Sequence, residues 1–377
     1  MRILVLIHEY PPIGGGGGRV AQDVARGLVK RGHEVHVLAP HINGLKKQDF
    51  DEGVSLTRIP SLRRTPFVGD LLAMSGYLIA GFWAGLILLW RFKPEVIHVH
   101  FAVPAGALAW ILSKLTGVPY VLTSHLGDVP GGVPEKTDRW FKWIRPFTPR
   151  IWRDAAAVTA VSDFTRRLAL LHYPVDMRVI PNGIEMPPPH PARIRLNSPP
   201  KILFAGRLVQ QKDPLLIPEI LHELKQLNWQ CIVLGDGPLR DGLVQRIETL
   251  GLQERFMIPG WGLPKEVHRC LQESDILLLP SRAEGIPMVG LHALAAGLAI
   301  VASDVGGVSN LIDSGRNGFL HQPGDVRSFA ESLKKLLSNP AFLLSARKAS
   351  LEISRRFELD RILDAYEEVL VEASQKR

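Results

Sequence analysis

Short apolar runs separated by helix-spaced segments recur along most of the chain. The first, RILVLI (2–7), is followed by the turn-forming stretch PPIGGGGG. RVAQDVARGLVKRGH comes next, with Val20, Val24 and Leu28 at the fourfold spacing of one helix face. EVHVLAP reads as a second strand, and PEVIHVH, PYVLTSH and AAVTAVS continue the pattern with helical segments between them. Apolar strands alternating with helices predict a parallel sheet covered on both faces, an α/β fold.

Residues 181–201, PNGIEMPPPHPARIRLNSPPK, interrupt this rhythm. So many prolines cannot continue a helix or a central strand, and the stretch reads as a semi-rigid linker. Beyond it the alternation restarts with KILFAG, WQCIVLGDG, RFMIPG, DILLLP, AIVAS and GFLHQ. Two doubly wound, Rossmann-like domains are therefore expected, over residues 1–190 and 191–355. An amphipathic helix within 356–377, LDRILDAYEEVLVEA, is expected to pack back toward the N-terminal domain. A chain of 377 residues is long enough for two such cores.

Composition narrows the class. With 46% hydrophobic and 22% charged residues the chain is neither disordered nor fibrous. Cys231 and Cys270 cannot build a disulfide framework or a Cys-rich zinc site, which points to a reducing, cytoplasmic setting. The apolar run of MRILVLIHEYPP is too short for a secretory signal. A net charge of +8 favours an anionic partner. Without a helix-turn-helix, RNP or zinc-finger pattern, that partner is not expected to be nucleic acid.

In doubly wound sheets ligands bind beyond the carboxyl ends of the strands, so the residues there carry the candidate chemistry. The glycine run at 14–18, with Gly15 and Gly16, lies between the first strand and the first helix. It reads equally as a phosphate-binding turn or as a flexible one. No acidic residue closes EVHVLAP, as nicotinamide dinucleotide binding would want. LTSHLGD sets His125 and Asp128 after a buried strand, where a lone histidine is more often a structural hydrogen-bonder. His98 and His100 share a strand face, but without a carboxylate or cysteine pattern a metal site is not expected. Arg207 and Lys212, in FAGRLVQQKD, suit a diphosphate, although spacing alone fits a solvated basic loop. Glu284 follows DILLLP, with Gly285 permitting a close turn and Pro287 opening a helix. The N–H groups of that helix then face the same crevice and favour anionic ligand groups. His292 interrupts the apolar helix eight residues after Glu284. There is no G-x-S-x-G, H-E-x-x-H or G-K-[ST] motif, and Asp49-Phe50-Asp51 reads as part of a polar loop. Metal-independent chemistry on a phosphorylated ligand remains.

In order along the chain, GGGGGRVAQDVARGLVKRGHEVHVLAP, PEVIHVHFAVPAG, VLTSHLGD, AVSDFTRRL, VIPNGIE, LFAGRLVQQKD, VLGDGPLR, LLLPSRAEGIPMVGLHALAAGLAIVASDVGG and NGFLHQPGD resemble the retaining glycosyltransferases of family GT4, which have the GT-B fold. The resemblance implies two Rossmann-like domains facing a central cleft. It also implies sugar transfer from a nucleotide diphosphate sugar to an acceptor hydroxyl, with no cofactor beyond that co-substrate. By the same resemblance Arg207 and Lys212 hold the donor diphosphate, and Glu284 and His125 contact the donor sugar as catalytic-site residues. Gly285 to Val289 form the sugar and phosphate loop, and Gly15 and Gly16 lie near the phosphates and acceptor. Donor binding would close the hinge at 181–201. His292 stands where the family has a second glutamate gripping the ribose. GGVSNL (306–311) lacks the usual Pro-Glu. An imidazole accepts through one nitrogen only, so a weaker or rearranged ribose grip is expected. The substitution also leaves open a non-catalytic sugar-nucleotide-binding or scaffolding homologue.

Residues 71–90 carry no charge over a length that could span a bilayer. Strands on either side belong to one sheet, so a buried or surface-lying helix is expected instead. In 139–153, RWFKWIRPFTPRIWR, five cations interleave with Trp140, Phe141, Trp143, Phe147 and Trp152. This reads either as an interfacial patch for an anionic membrane or as core aromatics with solvated charges. The first reading predicts peripheral attachment at the inner face of the cell membrane, with a lipid-linked or glycan acceptor.

Overall fold

The structure, a computed structural model, describes residues 1–63, 70–133, 144–186 and 194–376. The chain divides into two compact units, Met1–Gly183 with Leu359–Arg377, and Ile184–Glu358. The first crossing thus falls seven residues before the boundary expected at 190/191. The reason is local: Ile184 N–H donates to Phe357 O at 2.9 Å, and Ile184 forms a parallel bridge with Glu358. The outgoing and returning strands of the chain are hydrogen-bonded where they cross.

The first unit runs β1 (Arg2–Leu6), α1 (Gly16–Lys30), β2 (Glu34–His41), β3 (Gln48–Asp51), β4 (Val54–Pro60), α2 (Leu71–Phe92), β5 (Val96–His100), α3 (Ala107–Thr116), β6 (Tyr120–Ser124), α4 (Thr148–Arg153), β7 (Ala157–Ala160), α5 (Asp163–Leu170) and β8 (Arg178–Val179). Its sheet has the order β3-β4-β2-β1-β5-β6-β7-β8, parallel except for β3. Every apolar run read as a strand is one. The β3–β4 hairpin was not anticipated, and it moves Asp49-Phe50-Asp51 from a loop to an edge strand. There Asp51 accepts from Tyr10 Oη at 2.7 Å and Gln22 Nε2 at 2.8 Å, and pairs with Arg26. It is a structural anchor between that edge and α1.

The second unit runs β9 (Lys201–Ala205), α6 (Leu216–His222), β10 (Gln230–Leu234), α7 (Arg240–Thr249), β11 (Phe256–Gly260), α8 (Pro264–Gln272), β12 (Ile276–Leu279), α9 (Met288–Ala295), β13 (Ala299–Ser303), β14 (Gly318–His321), α10 (Val326–Ser338) and α11 (Pro340–Ser354). Its parallel sheet has the order β11-β10-β9-β12-β13-β14. Counted within the unit this is 3-2-1-4-5-6, whose strand order reverses between β9 and β12. Apolar clusters fill both faces: Phe204, Val233 and Leu278 on one, Leu203, Leu277 and Ile300 on the other. This two-sided burial is why the strands read as unbroken apolar runs.

The last helix, α12 (Leu359–Ser374), belongs to the first unit. Leu363 packs where Gly27 of α1 leaves no room for a Cβ, and Glu367 accepts from Arg31 and meets the ring of His33, each at 2.9 Å.

Candidate active site

The strand order sets the residues after β9 beside those after β12. Lys212 ends a short 3-10 turn, Gln210–Lys212, whose backbone is stitched to the second loop. Arg282 N–H donates to Gln211 O at 2.8 Å, Gln211 Nε2 to Ala283 O at 2.9 Å, and Arg282 Nε to Asp213 Oδ2 at 2.8 Å. This stitching delivers Lys212 Nζ to Glu284 Oε1 at 2.5 Å, across 72 positions of sequence. Ser281 Oγ donates to the same oxygen at 2.7 Å. Among the described residues, both hydrogen bonds to this carboxylate fall on Oε1. Glu284 is only 4% exposed. Lys212 is therefore an ion-pair partner in a shielded site, not part of a solvated loop. Arg207 is half-buried, two residues past the end of β9.

Close backbone packing fixes the frame. A Cβ on Gly306 would lie 1.6 Å from Glu284 O, and one on Gly235 would lie 1.8 Å from Gly206 O. Gly306 also has φ +58°, so the GG of GGVSNL and the first glycine of GDG are dictated by contact. Gly307 N–H bonds Gly285 O at 2.6 Å. After Gly285 and the buried Ile286, Pro287 precedes α9 with extended backbone and no side-chain cap. The first-turn N–H groups of Met288 and Val289 have no partner within the helix and lie at its positive end, an arrangement suited to an anion. His292 stands one turn further along α9, half-buried between Leu291 and Ala293.

In the first unit the strand order likewise reverses, between β1 and β5. The glycine run is only partly a loop: Gly15 is the N-cap and Gly16 to Gly18 form the first turn of α1. Glu9 Oε2 accepts from Gly15 N–H at 3.1 Å, so a carboxylate sits at this helix N-terminus. Cβ atoms at Gly17 and Gly18 would strike Phe101 and Glu9 O. Phe101, immediately after β5, has φ +70°, and Leu126 after β6 has φ +78°, strained positions for side-chain-bearing residues. Phe101 packs against His125 with ring centroids 4.6 Å apart.

His125 follows β6. Asp128 fixes its loop, accepting from Ser124 Oγ and His125 N–H at 3.0 Å and from Ala102 N–H at 2.8 Å. The ring bonds His100 Nδ1 through Nε2 at 2.9 Å, while His98 bonds Thr123 Oγ1 at 2.9 Å. Burial lowers all three imidazoles, His98 and His125 to about 3 and His100 well below its ordinary value. They are neutral at physiological pH. Among the described residues no group of three ligating side chains could hold a metal. Sequence reasoning missed Ser281, Glu9 and Phe101. HEYPP held a signal for Glu9, a carboxylate six residues before Gly15, but nothing in the sequence marks the φ of Phe101.

The aromatic–basic patch divides. Residues 139–143, with Arg139, Trp140, Phe141, Lys142 and Trp143, lie outside the described residues. Trp152 is not interfacial: it is buried and stacks on Tyr173 at 4.5 Å, in the core beneath α4. Phe147, Arg145, Arg150 and Arg153 are exposed.

Comparison with known proteins agrees with this fold. Residues 14–186 match the model of Glycosyltransferase Family 4, and residues 190–353 that of Glycosyl transferases group 1. The Escherichia coli UDP-Gal:alpha-D-GlcNAc-diphosphoundecaprenol alpha-1,3-galactosyltransferase is 26% identical over 317 residues, covering 75% of this chain and 78% of that one. Sucrose-phosphate synthase from Thermosynechococcus elongatus superposes with a TM-score of 0.84 at 18% identity, over 98% of both chains. Anabaena HepE, solved in complex with UDP and glucose, gives 0.77 at 20% identity, over 98% of this chain and 99% of that one. Both family matches, with two Rossmann-like sheets, identify the chain as a member of the GT4-type glycosyltransferases of GT-B fold.

Proposed function

We propose that this glycosyltransferase moves a sugar, with retained configuration and without a metal, from a nucleotide diphosphate sugar to a hydroxyl of a lipid-linked or glycan acceptor. The setting would be cell-envelope synthesis at the cytoplasmic side of the membrane. The observation that carries the reading is the buried Lys212–Glu284 pair beside the open N-terminus of α9. In the reaction the bond from anomeric carbon to diphosphate oxygen breaks, the acceptor oxygen takes its place on the same face, and the acceptor proton leaves with the nucleoside diphosphate. Lys212 and Arg207, with the first N–H groups of α9, supply positive charge where the leaving diphosphate gains negative charge. The Glu284 carboxylate is an acceptor for donor sugar hydroxyls. His125, neutral and hydrogen-bonded to His100, suits a hydroxyl contact better than proton transfer. The named substrates of the Escherichia coli relative, a UDP-sugar and a diphosphoundecaprenol-linked acceptor, support this choice of donor and acceptor class.

The test is transfer from a panel of UDP-, GDP- and ADP-sugars to polyprenyl-diphosphate-linked sugar acceptors by wild type, Lys212→Ala and Glu284→Ala. Both variants should lose transfer, by roughly a hundredfold or more if each removes a group aimed at developing charge or at the sugar. Near-normal turnover in both would overturn the assignment of the site.

A further inference from the structure

Helix α2 is built inside out. Besides Tyr77 and Leu89, its inward positions are small: Gly76 leaves no room for a Cβ against Ser61, nor Gly81 against Leu108, nor Gly85 against Leu112. Two glycines four apart against two leucines four apart let α2 and α3 approach closely. Most of the large apolar side chains point the other way. Leu72, Ile79, Trp83, Ile87 and Trp90, spaced by seven, four, four and three residues, share one face and are exposed, Ile79 by 68%, Trp83 by 65% and Trp90 by 74%. Ile111 and Leu115 of the adjoining α3 are exposed as well. The stripe follows a helix of 22 residues, about 33 Å at 1.5 Å per residue. So long a contiguous apolar face on a soluble unit marks a surface that something covers.

The helix does not cross a bilayer, because it joins β4 to β5 of one sheet and Tyr77 Oη donates to Leu38 O at 3.2 Å. The charges around it decide the occupant. Arg91 and Lys93 are exposed at its C-terminal end, Lys114 ends α3, and Arg150 and Arg153 are exposed on α4. Asp154 is shared by Trp110 Nε1 and Lys114 Nζ, each at 3.0 Å, and Arg153 Nε at 3.2 Å, so it balances one of those two cations, and Asp70 caps α2 by accepting from Ala73 N–H at the opposite end. The stripe is thus an apolar surface with two exposed tryptophans and a largely cationic border. That is the composition of a helix lying in the interface of an anionic bilayer. A second copy of the chain would instead bring its own cations to the same border. The first two turns of α2 also reach the ligand end of the sheet, where Ala73, Met74 and Tyr77 enclose a small cavity with His8 and Arg63.

We propose that the outer face of α2, extended by Ile111 and Leu115, is a membrane-docking surface that seats the first unit on anionic lipid. It replaces the 139–153 segment as the membrane contact argued from described residues. Docking is measured without any sugar donor, so its failure would leave the proposed sugar transfer standing.

The experiment is flotation of the purified full chain with vesicles of phosphatidylglycerol and phosphatidylcholine at low salt. The wild type should float with anionic vesicles and less with pure phosphatidylcholine. Ile79→Glu/Trp83→Glu should lower partitioning by roughly tenfold or more, since each change places a charge where an apolar group inserted. Arg91→Glu/Lys93→Glu should weaken binding to anionic vesicles only. A folded double variant is recognised by an unchanged circular dichroism spectrum and a cooperative thermal transition. If it does not fold, quenching of wild-type tryptophan fluorescence by bromine-labelled lipid, reduced in Trp83→Phe/Trp90→Phe, makes the same measurement. A wild type that stays with neither vesicle, or a folded glutamate variant that floats as well as the wild type, overturns the proposal. So does a wild-type dimer in light scattering that the glutamate variant converts to monomer, since the face is then a contact between copies.

Discussion

Lys212→Met in the ligand-free protein isolates the energetics of the site from its chemistry. The pair lies at 2.5 Å with side chains 17% and 6% exposed. At an effective dielectric of about 20, two charges roughly 3 Å apart attract by about 5 kcal/mol, most of it offset by what each lost in leaving water. The intact pair therefore adds little net stability. Removing the cation is different, because Glu284 is left buried with Ser281 as its one remaining donor among the described residues. Breaking a buried pair costs about 3–5 kcal/mol, and the serine bond puts this site at the lower end, about 3 kcal/mol. Glu284→Gln should cost about 1 kcal/mol, because the amide oxygen can still accept from Ser281 and the more exposed Lys212 can hydrate. The double variant should recover about 2 kcal/mol of the summed costs, the signature of direct coupling. Hydrogen exchange of β9 and β12 amides reads this in the second unit alone, and 3 kcal/mol corresponds to exchange faster by roughly a hundredfold. Should Lys212→Met cost under about 1 kcal/mol, with additive effects in the double variant, Lys212 is solvent-screened and the argument for a pre-formed charged site fails.

The histidines of the first unit predict its acid sensitivity. Burial holds His98 and His125 at about 3 and His100 well below its ordinary value, against about 6.5 unfolded, so across that range the unfolded chain binds more protons. Stability should be full above about pH 6.5 and fall below it, by about 1.4 kcal/mol per pH unit for each histidine that titrates independently. Urea midpoints of the first unit measured from pH 7.5 to 5 should decline accordingly, and a flat profile refutes neutral burial of these rings. At the proposed donor site, His292→Glu should tighten nucleotide-sugar binding by about tenfold if the imidazole is a one-nitrogen ribose ligand, read by calorimetry. Loss of both binding and transfer in a folded His292→Glu protein would show that the histidine serves a different donor geometry.

The strands were legible because two-sided burial leaves apolar runs, and LTSHLGD or DILLLP could be placed at strand ends from that alone. The β3–β4 hairpin escaped because QDFD and VSLTRIP mix polar and apolar residues at a sheet edge, where pairing partly replaces burial. The resemblance set Lys212 on the diphosphate and Glu284 on the sugar, but their ion pair could not be read from spacing, since 72 residues separate them and only the reversal of strand order makes them neighbours. Helix α2 shows a different limit. A segment apolar all round has no periodic signal to say which face is inside, so its sequence allowed either burial or a surface position. The packing decides by size: glycines face α3 and β4, and the tryptophans are left outside. Trp152 makes the converse point, because its neighbours Arg150 and Arg153 gave the segment an interfacial composition while the indole itself stacks on Tyr173. Composition records which side chains could meet a membrane, and only the direction in which a helix turns them decides which do. The membrane question therefore moves from a cluster of cations to the outer face of one helix, where adding single charges can answer it.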